Sequence, residues 1–337
     1  MPKPRSFALV LALATTVSCS NDTTVPSLLP PGGGSGDIGS LSGTVVRHLD
    51  GTPVQSATVL HGSSATLTDA QGRFTLNGVP TSGVVGVVVN ASGHVFRRVV
   101  YQMTPNRSGV TIDIIRDAPP FDLFFYRQWV RDNLQSTSLQ ATKPWTVDPN
   151  FYFKTLLDDL DEVVPDATID RLVSIFANSI VELSGGKRKM GTVERGTAAR
   201  EPMDGWVNVT FARNLGGFLG SSSVGGNMGT IALVYAPLLQ STPQNNPFGC
   251  EFPLYAVADH EITHTLGYWH TLDVVADSFS GPGCTGAGRP ERTRLHSAVM
   301  YSRPSGNTDP DVDPATAAQS RAPGTAGRLT VVNCFRQ

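Results

Sequence analysis

The chain has 337 residues, of which 40% are hydrophobic and 16% are charged, and its formal net charge is −2. This length predicts two domains, or one domain with a long accessory part. The near-zero net charge gives no reason to expect nucleic acid as a partner. The 34 glycines and 24 prolines, together with the few charged residues, favour a loop-rich secreted protein over a cytosolic one.

Residues 1–19 have the pattern of a secretion signal. A short basic start precedes an apolar run over residues 7–17 that is too short to span a bilayer stably. The run ends in a segment that resembles a bacterial lipobox, in which Cys19 would carry the lipid, although Thr16 stands where such signals usually have leucine. Cleavage as an ordinary signal peptide near Ser18 is the alternative. Both alternatives predict an extracytoplasmic protein, either a bacterial cell-envelope lipoprotein held to a membrane by its lipid anchor or a secreted protein.

Residues 20–37 are mostly Ser, Thr, Pro and Gly, and they predict a flexible linker. Residues 38–116 then indicate an all-β module, because short runs typical of strands alternate with turn residues. The predicted strands are residues 41–46, 57–60, 65–68, 74–76, 84–89, 95–101 and 110–115. About seven strands in a segment of this length predict a small β-sandwich.

Four segments of this module resemble the carboxypeptidase regulatory-like domain. They are GTVV at residues 43–46, GTPV at 51–54, TDAQGRF at 68–74 and ASGH at 91–94. We expect Asp69 to form an Asx turn rather than a ligand site. The module contains no catalytic constellation, and its role as a spacer, a folding aid or a weak glycan or protein binder is open.

Residues 118–337 predict a second domain with both strands and helices. Strands are predicted at residues 151–153, 190–193, 206–211, 216–223 and 228–235, with the Gly/Ser-rich fourth strand at a sheet edge. An apolar stripe from Ile169 to Leu183 predicts a helix, and Gly185 and Gly186 would end it. A further helix is expected to start at Pro253.

Residues 260–270, HEITHTLGYWH, are the strongest chemical motif of the chain. If the segment is helical at its start, His260 and His264 lie one turn apart on one face and can bind a single Zn²⁺ ion. Glu261 is rotated by about 100° around the helix, where its carboxylate can take a proton from metal-bound water.

The second half of the motif supplies a third ligand. Gly267 can adopt a positive φ, so the helix can stop there and the chain can turn sharply. The turn would bring His270 back to the metal, and three protein ligands leave the fourth position for water, as in catalytic zinc sites. The other interpretation is a helix with two surface histidines and a glycine cap.

The pattern H-E-x-x-H-x-x-G-x-x-H resembles the signature of the metzincin zinc peptidases. Residues 297–301, SAVMY, resemble the methionine turn of that family, with Met300 below the ligand imidazoles. The resemblance implies an α+β fold, in which a metzincin catalytic domain with a mixed, mostly parallel sheet and an active-site helix follows the all-β sandwich. It also implies a zinc-dependent endopeptidase acting on proteins or peptides, with the three histidines as ligands and Glu261 as general base.

Family resemblance further implies that the edge strand pairs with an extended substrate, through backbone near residues 217–221. Tyr301 is not placed as the tyrosine that assists the metal in some metzincins, so we expect it to be structural.

Two other functions are open. In a different class of zinc peptidase, Glu291 would replace the third histidine, but its Gly/Pro-rich surroundings argue against the helix that this class needs. The non-enzymatic alternative is a surface binding or adhesion protein whose zinc site is relic or structural. The intact Glu261 argues against that alternative, because a structural site needs no base.

The chain has four cysteines. If Cys19 is lipidated, three remain and at most one internal disulfide can form. A Cys250–Cys284 bridge would tie the active-site helix to the loop after His270, and pairings with Cys334 are also open.

Overall fold

The computed structural model describes residues 37–132, 136, 139–216, 218–236, 253–271 and 291–302. These residues form 13 strands and four helices, so the fold is a mixed α+β one. All of these elements belong to one compact unit. Cys19, Cys250, Cys284 and the predicted signal segment lie outside the described residues and stay predictions.

The first part of the described chain is a β-sandwich. Its strands are β1 Ile38–Arg47, β2 Thr58–His61, β3 Ser64–Leu67, β4 Arg73–Pro80, β5 Val84–Asn90, β6 His94–Val95, β7 Arg97–Gln102 and β8 Arg107–Arg116. They form two four-stranded sheets with the orders β4-β1-β8-β6 and β3-β2-β5-β7. Alternate residues of both sheets, such as Leu41 and Val87, are fully buried in one apolar cluster between them. The expected strands are confirmed, except that the predicted strand 95–101 is divided into β6 and β7.

The turn after β3 has the conformation expected from its sequence. The Asp69 carboxylate accepts hydrogen bonds from the backbone N–H groups of Gln71 and Arg73 at 2.9 and 2.8 Å. These bonds hold the pKa of Asp69 below its usual value, led by the bond from Arg73. The side chain is therefore an Asx-turn residue, as predicted.

The second part is built on one five-stranded sheet. Its strands are β9 Asn150–Lys154, β10 Val193–Gly196, β11 Trp206–Ala212, β12 Gly220–Ser222 and β13 Met228–Val234, in the order β10-β9-β11-β13-β12. All neighbours are parallel except β12, which runs antiparallel to β13 at the end of the sheet. The edge position predicted for residues 216–223 is confirmed, but the predicted bounds are wrong, because among the described residues of this segment only Gly220–Ser222 form the strand. The strand predicted at residues 190–193 is wrong in its bounds, because pairing with β9 begins only at Val193.

Four helices complete the described residues: α1 Leu123–Arg131, α2 Asp166–Leu183, α3 Pro253–Thr265 and α4 Glu291–Tyr301. The apolar stripe of α2 is buried as predicted, and Gly185 and Gly186 follow it with φ of +60° and +75°. Helix α3 starts at Pro253, also as predicted. None of the described helices is long and apolar enough to cross a membrane.

The two parts share buried surface. Val95 and Ile115 come from sandwich strands, but they pack into the apolar cluster that contains α1, α2 and the five-stranded sheet. Phe121, which follows the sandwich, belongs to the same cluster and stacks on His296 of α4 at 4.8 Å between ring centroids. The sandwich is thus anchored to the part of the protein that carries the histidine motif.

Candidate metal centre

The structure brings the three predicted histidine ligands together. Nε2 of His264 lies 3.0 Å from Nε2 of His260 and 3.2 Å from Nε2 of His270. The possible ligand atoms of the three residues all lie within 4.8 Å of one another. His260 and His264 come from the same face of α3, whereas His270 reaches the group through the turn that follows the helix. This is the arrangement that the spacing predicts.

The donor set fits a small cation that prefers nitrogen ligands. Bonds of about 2.0–2.1 Å in tetrahedral geometry place two ligand nitrogens about 3.3 Å apart, close to the separations at His264. Burial, reinforced by the neighbouring His260, lowers the pKa of His264 to about 3, and burial also lowers the pKa of His270. Both imidazoles are therefore neutral near pH 7, and neutral imidazole is the form that binds a metal.

A second contact sets the orientation of the central ligand. Nδ1 of His264 lies 2.8 Å from the carbonyl oxygen of Tyr268. Because a carbonyl can only accept, Nδ1 carries the proton and Nε2 presents its lone pair to the other two histidines. Such outer contacts fix both the tautomer and the ring plane of a metal ligand.

The turn between His264 and His270 requires glycine at its centre. Gly267 has a φ of +106°, and a Cβ atom there would lie 2.7 Å from the carbonyl oxygen of Lys143. Both the backbone conformation and the lack of space therefore exclude other residues. The sequence predicts the sharp turn but not the close approach of Lys143.

The carboxyl end of α3 is capped by distant residues. Trp145 Nε1 donates a hydrogen bond to the carbonyl oxygen of Thr265 at 2.7 Å, from 120 positions away in sequence. The Tyr301 hydroxyl donates to the carbonyl oxygen of Leu266 at 3.1 Å, consistent with the structural role expected for it. These bonds satisfy carbonyl groups that a helix end leaves without an internal partner. Sequence reasoning missed Trp145, because no local pattern connects it to the motif.

Helices α1 and α2 hold the turn itself. The Tyr268 ring stacks on Trp129 of α1 at 4.9 Å between centroids, and its hydroxyl donates to the carbonyl oxygen of Leu183 at 2.6 Å. The backbone N–H of Trp269 donates to the carbonyl oxygen of Trp129 at 2.7 Å. The position of His270 is therefore set by contacts with both helices, and no local sequence pattern predicts these contacts.

The Glu261 side chain extends from α3 and is buried against the edge strand β12. Its carboxylate accepts a hydrogen bond from the Ser222 hydroxyl at 2.6 Å, and only 4% of the residue is exposed. Burial raises the pKa of Glu261, while the nearby His264 and the Ser222 hydrogen bond act in the opposite direction. The predicted base thus lies beside the histidine cluster, with a partner that sequence reasoning missed.

The segment around Met300 differs from the prediction. We expected a turn at residues 297–301, but these residues are the last part of helix α4, which ends at Tyr301. Met300 is fully buried, and its Cε lies 3.5 Å from the position that a Cβ on Gly267 would take. The methionine therefore packs against the turn that leads to His270, as part of a helix rather than of a turn.

Glu291, the alternative third ligand, also differs from its prediction. It is the first residue of α4, so its Gly/Pro-rich surroundings precede a helix instead of preventing one. A carboxylate in the first turn is favourable there, because it faces the positive end of the helix dipole. The residue is exposed, and the metal-binding group found among the described residues is His260, His264 and His270 without it.

Comparisons with known proteins add little to this geometry. No protein-family model matches the chain, and no curated protein matches it. Two similar solved structures are C-terminal and N-terminal interface mutants of a type II cohesin–X-dockerin complex from Acetivibrio cellulolyticus. They are 18% and 19% identical, with a TM-score of 0.20 in each case. Each match covers 23% of this chain and 56% or 58% of the other, which is too little to carry an argument about function.

Proposed function

We propose that the protein is a zinc-dependent endopeptidase of the metzincin type. The observation that supports this most directly is the convergence of three imidazole nitrogens beside the buried carboxylate of Glu261. Nitrogen ligands in such a set favour Zn²⁺, and three protein ligands leave one position for chemistry. Together with the predicted export signal at residues 1–19, this makes extracellular proteins or peptides the expected substrates.

In this proposal, the residues of the chain have separate tasks. His260, His264 and His270 would hold the ion, with His264 oriented by Tyr268. Zinc, when bound, supplies a Lewis acid that polarises the scissile carbonyl and makes water acidic enough to lose a proton near neutral pH. Glu261 accepts the proton of the attacking water and later delivers it to the leaving amine.

The experiment that tests this function measures metal content and proteolysis together. Purified protein should contain about one zinc per chain and should cleave an unfolded protein such as casein. Chelation should abolish cleavage, and added Zn²⁺ should restore it. A folded protein that binds no zinc would overturn the proposal. Zinc binding without cleavage of casein or of a broad peptide library would instead favour the surface binding protein with a relic or structural site.

We further propose that the substrate adds a strand to β12. The carbonyl oxygen of Leu219 accepts a hydrogen bond from β13 at 2.9 Å, and the N–H of Ser223 donates one to β13 at 3.1 Å. Backbone groups alternate in direction along an antiparallel strand, so those of Gly220 and Ser222 point away from β13. Their side-chain positions face α3. An extended peptide paired there would run past Glu261.

Hydrogen exchange can test this strand addition directly. A peptide bound to the inactive Glu261→Ala variant should slow amide exchange at Gly220 and Ser222 by at least about 10-fold, because both N–H groups become paired. Strand β10 at the opposite edge of the same sheet is the internal control and should not change. Equal protection of both edges, or of neither, would contradict the proposed pairing.

A further inference from the structure

The carboxylate of Glu261 is held by the edge strand as well as by its own helix. The Ser222 hydroxyl donates to Oε2 of Glu261 at 2.6 Å, across 39 positions of sequence. Both partners are at least partly buried, and Glu261 is only 4% exposed, so water competes weakly for this bond. A hydrogen bond to a carboxylate is about twice as strong as one between neutral groups.

Strand β12 restricts the space available to the Glu261 side chain. A Cβ atom on Gly220 would lie 2.6 Å from Oε1 of Glu261 and 2.7 Å from Cγ1 of Val257. The strand therefore passes directly over the carboxylate, and a larger residue at position 220 would have to displace the side chain of Glu261 or Val257. Register with β13 places Ser222 two residues further along the same face of β12, where its hydroxyl reaches the second oxygen.

We propose that Ser222 is a positioning residue that orients Glu261 for proton transfer. The hydroxyl holds the carboxylate in one orientation through Oε2. This inference rests on the proposed peptidase function. It gives Ser222 two roles. Its side chain orients the base, while its backbone belongs to the edge that would pair with substrate. Loss of the hydroxyl is therefore expected to affect the chemical step more than substrate binding.

Steady-state kinetics on zinc-loaded protein provides the first test. Ser222→Ala should lower kcat by about 10-fold with KM and zinc content nearly unchanged, because a misdirected base is costly even when binding persists. Ser222→Thr keeps a hydroxyl on a residue that suits strands, and it should restore kcat to within about 3-fold. Ser174→Ala, which removes an exposed hydroxyl from α2, is the matched control and should behave as wild type. An unchanged kcat in Ser222→Ala would overturn the inference.

Thermal unfolding provides a second test that does not depend on activity. Ser222→Ala should lower Tm by about 2–4 °C when Glu261 is present. In the Glu261→Ala background, which has no acceptor, the same change should have no effect. Equal shifts in both backgrounds would show that Ser222 does not act through Glu261. If the wild type cleaves nothing, the proposed function fails, and this cycle still decides whether Ser222 holds the carboxylate.

Discussion

Glu261→Gln should lower kcat/KM for peptide cleavage by about 10³-fold while the protein keeps its zinc, since general-base catalysis typically contributes about 10²–10⁴-fold. The amide has the size of the carboxylate and can still accept a hydrogen bond from Ser222, so the packing between α3 and β12 is preserved. It cannot take a proton from water at neutral pH. Glu261 is also not one of the three clustered ligands, so metal affinity should survive.

The measurement compares wild type, Glu261→Gln and Glu261→Ala for zinc per chain and for casein cleavage. Glu201→Ala replaces an exposed glutamate outside the site and is the matched control, expected to retain full activity. Wild-type cleavage by Glu261→Gln would refute the role of this residue as the base. Loss of zinc from Glu261→Gln would show that the carboxylate also supports the metal, contrary to the geometry.

His264→Ala should have the largest effect on metal binding, with zinc affinity reduced by more than about 100-fold, because even loss of an outer contact to a ligand costs about 10–100-fold. His264 is central to the group, because its Nε2 lies 3.0 Å from Nε2 of His260 and 3.2 Å from Nε2 of His270. Without His264, only His260 and His270 remain of the three ligands. Activity should be lost together with the metal.

Isothermal titration with Zn²⁺ and thermal unfolding can separate metal loss from misfolding. A ligand at about 1,000 times its Kd stabilises a folded protein by about 4 kcal/mol, so chelation should lower the Tm of the wild type. The Tm of His264→Ala should not respond to the chelator. His94→Ala changes a histidine of the sandwich and is the control, expected to bind zinc normally. Undiminished zinc affinity in His264→Ala would contradict the three-histidine site.

Strictly local patterns account for the parts of the fold that were predicted correctly. The apolar stripe of α2 repeats with helical period, and the strands of the sandwich alternate between buried and exposed residues. Proline at the start of α3 and glycine after its end act within one turn of chain. Each of these preferences depends on neighbouring residues alone.

Helix α4 shows where such patterns fail. Its buried positions include Thr293, His296 and Ser297, so a purely hydrophobic pattern does not reveal its inner face. His296 packs edge-on against Phe125 of α1 at 4.9 Å, and Trp129 Nε1 lies 3.3 Å from the Ser297 hydroxyl. Contacts with another helix thus stabilise this segment as a helix, where the resemblance to the methionine turn implied a turn.

The sequence by itself determined the chemistry of the candidate site, because His260, Glu261, His264 and His270 lie in one short segment whose helix and turn bring them together. Only the tertiary structure decided what holds that segment in place. Ser222 contacts this segment from strand β12, 39 positions away in sequence. Trp145 contacts it from a loop, 120 positions away. Such contacts depend on how β12 and the loop before β9 are brought against α3 in the folded chain, and no residue spacing encodes this.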